Sequence, residues 1–289
     1  DIRAHVSMKV QLNKKTIIDT IVYALQDKKL TALAIANIEK SYLKKGDAYT
    51  VENIDNELDR LVSIFRNNGY YNFTKEKIFC EVDTLNEHLM QLSLDPLLQA
   101  NQLINNESID ASSPHWKLSF QLRNIQPSNI TSYPIGNQIF YSNVSINDNL
   151  DSIINKSFQN KEVKEQVTHI FNEPKFKTSL FQEQIFLKKG EPFNEAKYYR
   201  TLNTLSSLGA WQQVDGRTSI ENDSIFLHYL LTPNIRRSVN FDIEGSKNTG
   251  QLLSGNLLGL STSLTYKDRN VQRKAISSLT SLRTGIELN

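Results

Sequence analysis

Cys80 is the one thiol in the sequence, set in Ile78-Phe79-Cys80-Glu81-Val82 with no histidine beside it. A cysteine nucleophile needs a neighbouring base and a cysteine metal site needs several thiols, so Cys80 reads as structural. The five histidines (His5, His88, His115, His169, His228) fall in five segments, and no i, i+4 pair offers two ring nitrogens from one helical face. Gly259-Leu260-Ser261-Thr262-Ser263 has the serine of a nucleophile elbow without its second glycine or the helix that must follow. No G-x-G-x-x-G or Walker loop occurs. Lys44-Lys45-Gly46 and Lys188-Lys189-Gly190 could touch phosphate, but two cations before a glycine also suit the last turn of a helix, which is the reading taken. Tyr70-Tyr71 and Trp211 read as core anchors rather than base-stacking platforms, because a net charge of +2 creates no field for nucleic acid. The chain is expected to be no enzyme and to need no metal or other cofactor.

The elements that would position these residues follow from hydrophobic period. Ile17–Leu25 is β-branched and aromatic and predicts a strand. Leu30–Leu43 and Val51–Asn67 carry apolar residues at helical spacing, closed by Gly46 and Gly69. Lys77–Val82 and His88–Leu94 alternate as short strands. Asp95-Pro96 opens a short helix over Leu97–Ile104, and Trp116–Leu122 alternates as a further strand. Whether that strand replaces His88–Leu94 or adds to it stays open at this level. The initial alternation His5–Leu12, with nothing before it to pair with, suggests a segment of something longer.

The order then recurs. Leu43-Lys44-Lys45-Gly46 returns as Leu187-Lys188-Lys189-Gly190, and Arg60–Tyr71 returns from Arg200, with Gly69 matching Gly209. The second copy is four residues shorter between these anchors, about one helical turn, which keeps the apolar stripe facing the same way. Strands Gln138–Ile146, Trp211–Ile220 and Ile225–Leu231 bracket it, and Asp151–Glu173 reads as an insertion holding one strand at Gln166–Phe171. Each copy is therefore expected to be a three-stranded sheet covered on one side by two helices, with an unpaired edge open to another chain's strand.

After Pro233 the helical period disappears. Arg237–Gly245, Asn256–Tyr266 and Ala275–Leu288 alternate apolar with Ser, Thr and charged residues, joined by turns of the Asp-Arg-Asn type, as do the strands of a membrane barrel. Three strands cannot close a barrel.

Two βααββ modules, Gly-Tyr-Tyr and Gly-Ala-Trp after the second helices, Ser238–Ser246, Gly259 and Tyr266–Asn270 together resemble the polypeptide-transport-associated (POTRA) repeats and first barrel strands of a BamA/TamA-type outer-membrane assembly factor. The likeness is nearest to the lipoprotein-type TamA relatives. It implies an α+β chain: residues 1–12 ending a preceding module, a module at 13–95, a connector at 96–131, a final module at 132–233 and barrel strands at 234–289. It implies a periplasmic arm at the outer membrane that binds unfolded outer-membrane or secreted proteins by strand augmentation, with periplasmic accessory subunits and membrane lipid as further partners and no nucleic acid. The second strand of each module would be the receiving edge: Lys77, Ile78, Phe79, Cys80, Glu81 and Val82 in the first, Gln213, Val214, Asp215, Arg217 and Thr218 in the second. The alternative is a periplasmic scaffold docking fixed subunits through the same modules.

Overall fold

The computed structural model describes residues 15–84, 114–123, 130–148, 150–154, 158–248 and 257–288. The expected strands His5–Leu12 and His88–Leu94 and the helix Leu97–Ile104 lie outside them. The chain divides into two compact units, residues 1–131 and 132–289.

The first unit runs β1 (Ile17–Ala24), α1 (Lys28–Ala36), α2 (Val51–Arg66), β2 (Ile78–Asp83) and β3 (His115–Leu122). β3 lies in the middle, parallel to β1 and antiparallel to β2. The strand at Trp116–Leu122 thus completes the sheet. Asp27 caps α1 by accepting from the Lys29 and Leu30 amides, and Thr50 caps α2 by accepting from Asn53. Ile54, Leu61 and Phe65 bury one stripe of α2 against Ile18, Phe73, Leu118 and Phe120.

α1 is shorter than its apolar pattern predicts. Asn37 donates its side-chain amide back to Leu33 O at 2.9 Å, and Arg60 Nη1 takes Asn37 O at 2.9 Å, so the backbone leaves the helix there into a 3₁₀ turn over Ile38–Lys40. Lys44-Lys45-Gly46 is therefore no helix stop. It forms a reverse turn, with Asp47 N donating to Lys44 O at 3.1 Å and Gly46 at φ +91°. That turn clasps the start of β1: Ile18 N donates to Asp47 O at 2.9 Å and Gly46 N to Ile18 O at 2.8 Å. The second copy repeats the device, with Gly190 at φ +84°, Ile135 N donating to Glu191 O at 2.8 Å and Gly190 N to Ile135 O at 2.8 Å. The duplicated Leu-Lys-Lys-Gly is a backbone clasp whose leucines, Leu43 and Leu187, fill the cores.

A buried ionic group ties α2 to β1. Glu57 has no exposed surface; it accepts from Arg60 at 2.8 and 2.5 Å, from Tyr23 Oη at 2.6 Å and from the Tyr42 amide at 3.1 Å. Burial opposes its charge, but the Arg60 and Tyr23 hydrogen bonds and the Arg60 charge outweigh that and hold the carboxyl below its ordinary value. Residue 57 lies on the Ile54–Leu61–Phe65 stripe, so helical spacing turns it inward, but nothing in the sequence shows which partners satisfy a carboxylate there.

The second unit runs β4 (Ile135–Tyr141), α3 (Leu150–Ile154), β5 (Asn160–Lys164), β6 (Val167–Phe171), α4 (Thr178–Gln184), α5 (Glu195–Ser207), β7 (Trp211–Glu221) and β8 (Ser224–Pro233). Its β4-β8-β7 portion has the order and strand directions of β1-β3-β2. The expectation of three strands covered on one side fails here. The insertion folds as a hairpin, β6 pairs parallel to β4, and the sheet widens to five strands. α3 covers the opposite face, where Ile153 packs with Tyr141, Val144 and Leu230. β5 escapes sequence reading because Asn160–Lys164 is exposed throughout and carries no alternation.

The same unit continues into β9 (Arg237–Asn248), β10 (Leu257–Val271) and β11 (Ile276–Leu288), an open antiparallel sheet with β10 central. No closed barrel is formed among the described residues. Asp268-Arg269-Asn270 is not the turn either. It lies within β10, at a ladder irregularity before Val271, and the chain reverses over Gln272–Ala275, where Gln272, Arg273 and Ala275 adopt positive φ.

Candidate functional site: strand edges and an apolar sheet face

β2 lies at the edge of its sheet, and its hydrogen-bond phase follows from one contact. Arg123 N donates to Lys77 O at 3.0 Å, so residues 79, 81 and 83 turn their backbone groups toward β3. Ile78, Cys80 and Val82 turn theirs outward, and among the described residues no strand pairs with that side. Ile78, Cys80 and Val82 direct their side chains into the core, while Phe79, beneath Arg123 at 5.8 Å, and Glu81, which accepts from Gln121 at 2.5 Å, lie on the opposite face. Lys77 sits just before the strand in a 3₁₀ turn. Burial pushes the Cys80 thiol up to about 11, so it stays protonated at neutral pH, as a packing residue should.

β7 is also an edge, with a different finish. Ile225 N donates to Pro134 O at 2.9 Å, so the odd residues of β8 face β4 and its even residues serve β7. In β7, Asp215 and Arg217 therefore bond inward, while Val214, Gly216 and Ile220 present backbone groups outward; Gln213 and Thr218 lie opposite Thr232 and Leu227. The outward Gly216 amide is already taken by Asp215 Oδ1 at 3.0 Å, and Asp215 pairs with Arg217 at 2.9 Å. Such self-capping blunts an edge. Of the outward groups of β7, the Gly216 amide is capped in this way, while Val214 and Ile220 still turn theirs outward.

Gly216 also lets α5 approach. A Cβ there would overlap Tyr198 Oη and lie 2.9 Å from Leu202 Cδ1. Gly216→Val should lower second-unit stability by roughly 1–3 kcal/mol through forced overpacking. Thermal unfolding of the full chain checks this; an unchanged midpoint would show that α5 does not rest on β7.

The second unit buries a hydrogen-bond chain that superficially has the parts of a relay. Ser142 Oγ lies 2.7 Å from His169 Nε2, His169 Nδ1 lies 3.1 Å from Thr178 Oγ1, and Thr178 donates to Glu162. Thr178, having given its proton to the carboxylate, can only accept from His169, which places the ring proton on Nδ1 and makes Ser142 the donor to Nε2. Burial drives the imidazole down to about 4, so it stays neutral. Ser142 and His169 are both sealed from solvent, so the chain joins β4, the hairpin and α4 rather than meeting a substrate. Among the described residues no group of three or more His, Cys, Asp or Glu is placed to hold a metal, and no helix is long and apolar enough to cross a membrane.

The third feature is the final sheet. Phe241, Leu264 and Leu282 stand in register, as do Val239 with Tyr266 and Leu260 with Ile286, all on one face. Val239, Phe241, Ile243 and Leu282 are each more than 60% exposed, far from the burial an aqueous core would give them. The other face is polar and cross-linked: Asp242 accepts from Ser263 at 3.3 Å, Arg283 meets Glu244 at 2.6 Å, and Thr265 meets Ser281 at 3.2 Å. Residues 268–273 anchor this sheet to the rest of its unit. Asp268 accepts from Arg236 and Arg237 at 3.3 Å, Asn270 Nδ2 donates to Lys175 O at 2.8 Å, and Lys177 N donates to Arg273 O at 3.0 Å.

No family model matches the chain, and no curated protein matches it. Among solved structures it is similar to BamA from Haemophilus ducreyi lacking POTRA domains 1–3, at 10% identity and a TM-score of 0.43 over 94% of this chain and 43% of that one. It is similar to CdiB from Acinetobacter baumannii at 10% identity and a TM-score of 0.41, over 96% of this chain and 40% of that one. POTRA3–5 of Haemophilus influenzae BamA matches at 10% identity and a TM-score of 0.26, over 78% of this chain and all of that one. The chain spans about two fifths of the length of the first two structures it matches.

Proposed function

We propose that this chain is the periplasmic POTRA arm and first barrel strands of an outer-membrane assembly or translocation factor of the BamA/TamA type, and that it works without catalysis. The observation that carries this reading is the joining, within one unit, of a module with an edge strand to a sheet whose one face is apolar, in register and uncovered by any of the described residues. In lipid such a face is satisfied by acyl chains, provided further strands close the edges. The Leu-Lys-Lys-Gly clasps and the shared strand order support two POTRA modules. Clients are unfolded outer-membrane or secreted proteins, bound as an added strand on β2, where main-chain bonds supply affinity with little demand on client sequence. The capped Gly216 leaves β7 a shorter open edge than β2.

The test uses Cys80→Pro, which deletes an outward amide and leaves the β2–β3 ladder intact, with Cys80→Ser as control for the lost thiol. A photo-crosslinker at Glu81 should capture nascent outer-membrane proteins severalfold less in Cys80→Pro than in Cys80→Ser, while circular dichroism reports both folded. Equal capture would reject the β2 edge as the client site.

A further inference from the structure

β1 and β4 are one element in two copies, and among the described residues β4 alone has a strand on its outer side. Both are clasped at their start, at Ile18 and Ile135. Both then carry a ladder irregularity, and both stack a ring on the central strand: Tyr23 on Phe120 at 5.4 Å, Phe140 on Tyr229 at 4.4 Å. These matches align Ile21, Tyr23 and Leu25 with Gln138, Phe140 and Ser142.

In the second copy those outward positions are used. Gln138 N donates to Gln166 O and Ser142 N to Ile170 O, both at 3.1 Å, so that β6 runs parallel along β4 from Gln138 to Tyr141. β6 buries Val167, His169 and Phe171, and the His169 ring meets Phe181 of α4 at 4.7 Å. In the first copy no strand among the described residues pairs with β1 on that side, beyond the clasp. Beside it lies an open groove of about 480 Å³ whose lining includes Tyr23, Ala24, Leu25, Thr31, Ala32 and Ile35. Ile35 leaves 54% of its surface in water on the rim.

We infer that the outer edge of β1 takes an extended polypeptide segment parallel to β1, as β4 takes β6. The occupant is a strand of at least four residues with apolar side chains at alternate positions, directed at Ala32 and Ile35 of α1. Its backbone bonds to Ile21, Tyr23 and Leu25. The chain's own β6 is the template for this fit, and the inference does not depend on the β2 proposal.

A synthetic peptide of the sequence Gln166–Asn172 is the probe, added to the full chain at saturating concentration while amide hydrogen exchange is followed. Exchange at Ile21, Tyr23 and Leu25 should slow by at least about tenfold, and the effect should vanish in Ile35→Asp, a surface change that leaves the core intact. Unchanged exchange at these three amides, or equal slowing in Ile35→Asp, would overturn the inference. Slowing confined to Ile78, Cys80 and Val82 would overturn it too, while leaving the β2 proposal standing.

Discussion

If the chain works in the outer membrane as proposed, Leu264→Arg should remove it from the outer-membrane fraction of cells, while Ser263→Arg, one residue away, should leave it there. Leu264 stands mid-strand on β10, between Phe241 and Leu282, at the centre of the uncovered apolar face. If that face meets acyl chains, a guanidinium there costs about 2–4 kcal/mol near the bilayer midplane, enough to defeat membrane insertion that is only marginally favourable. Ser263 faces the other way and already donates to Asp242, so an arginine there gains a carboxylate partner. Fractionation of cell envelopes with alkaline extraction reads the difference. If both variants stay in the membrane, or both leave it, the face does not contact lipid.

Glu57→Ala should destabilise the first unit by about 3–5 kcal/mol, the usual consequence of removing one partner from a buried pair. It strands the Arg60 guanidinium, whose side chain is only 8% exposed, and leaves Tyr23 Oη and the Tyr42 amide without their acceptor. The double variant Glu57→Leu/Arg60→Leu should recover much of the loss, because no uncompensated charge remains. Denaturant unfolding followed by amide exchange in each unit measures both.

Acid should act on the two units in sequence. His169 is depressed from 6.5 to about 4, so the folded second unit binds fewer protons than its unfolded chain, and its stability falls as pH drops from about 6.5 toward 4. Glu57 is depressed below its ordinary 4.5, so its contribution is complete above that value and is lost as pH falls through the folded value. The first unit should therefore weaken later on acidification, and that late phase should be smaller in the Glu57→Leu/Arg60→Leu variant, where Asp19 remains as a depressed carboxylate.

Much of this was written in local period. The switch from alternation to helical spacing after Leu25 and the stripe from Ile54 to Phe65 reflect neighbours within one turn or one pleat, which a linear reading can see, whereas the duplicated Leu-Lys-Lys-Gly is visible as a repeat but its clasp on Ile18 and Ile135 is not. The alternation of Val239, Phe241 and Ile243 against Leu260, Leu264 and Tyr266 was equally plain, because one face of a sheet is a period-two property. What only tertiary structure decided was partnership. That β3 sits between β1 and β2, that β6 runs along β4, and that the Gly216 amide is capped are matters of which backbone groups meet far from their neighbours in sequence. Glu57 belongs with them, since helical spacing turns it inward but only Arg60, Tyr23 and Tyr42 converging on it make a buried carboxylate tolerable. Ladder hydrogen bonds are made by a backbone common to all residues, so side-chain order marks a segment as strand without naming the strand it joins.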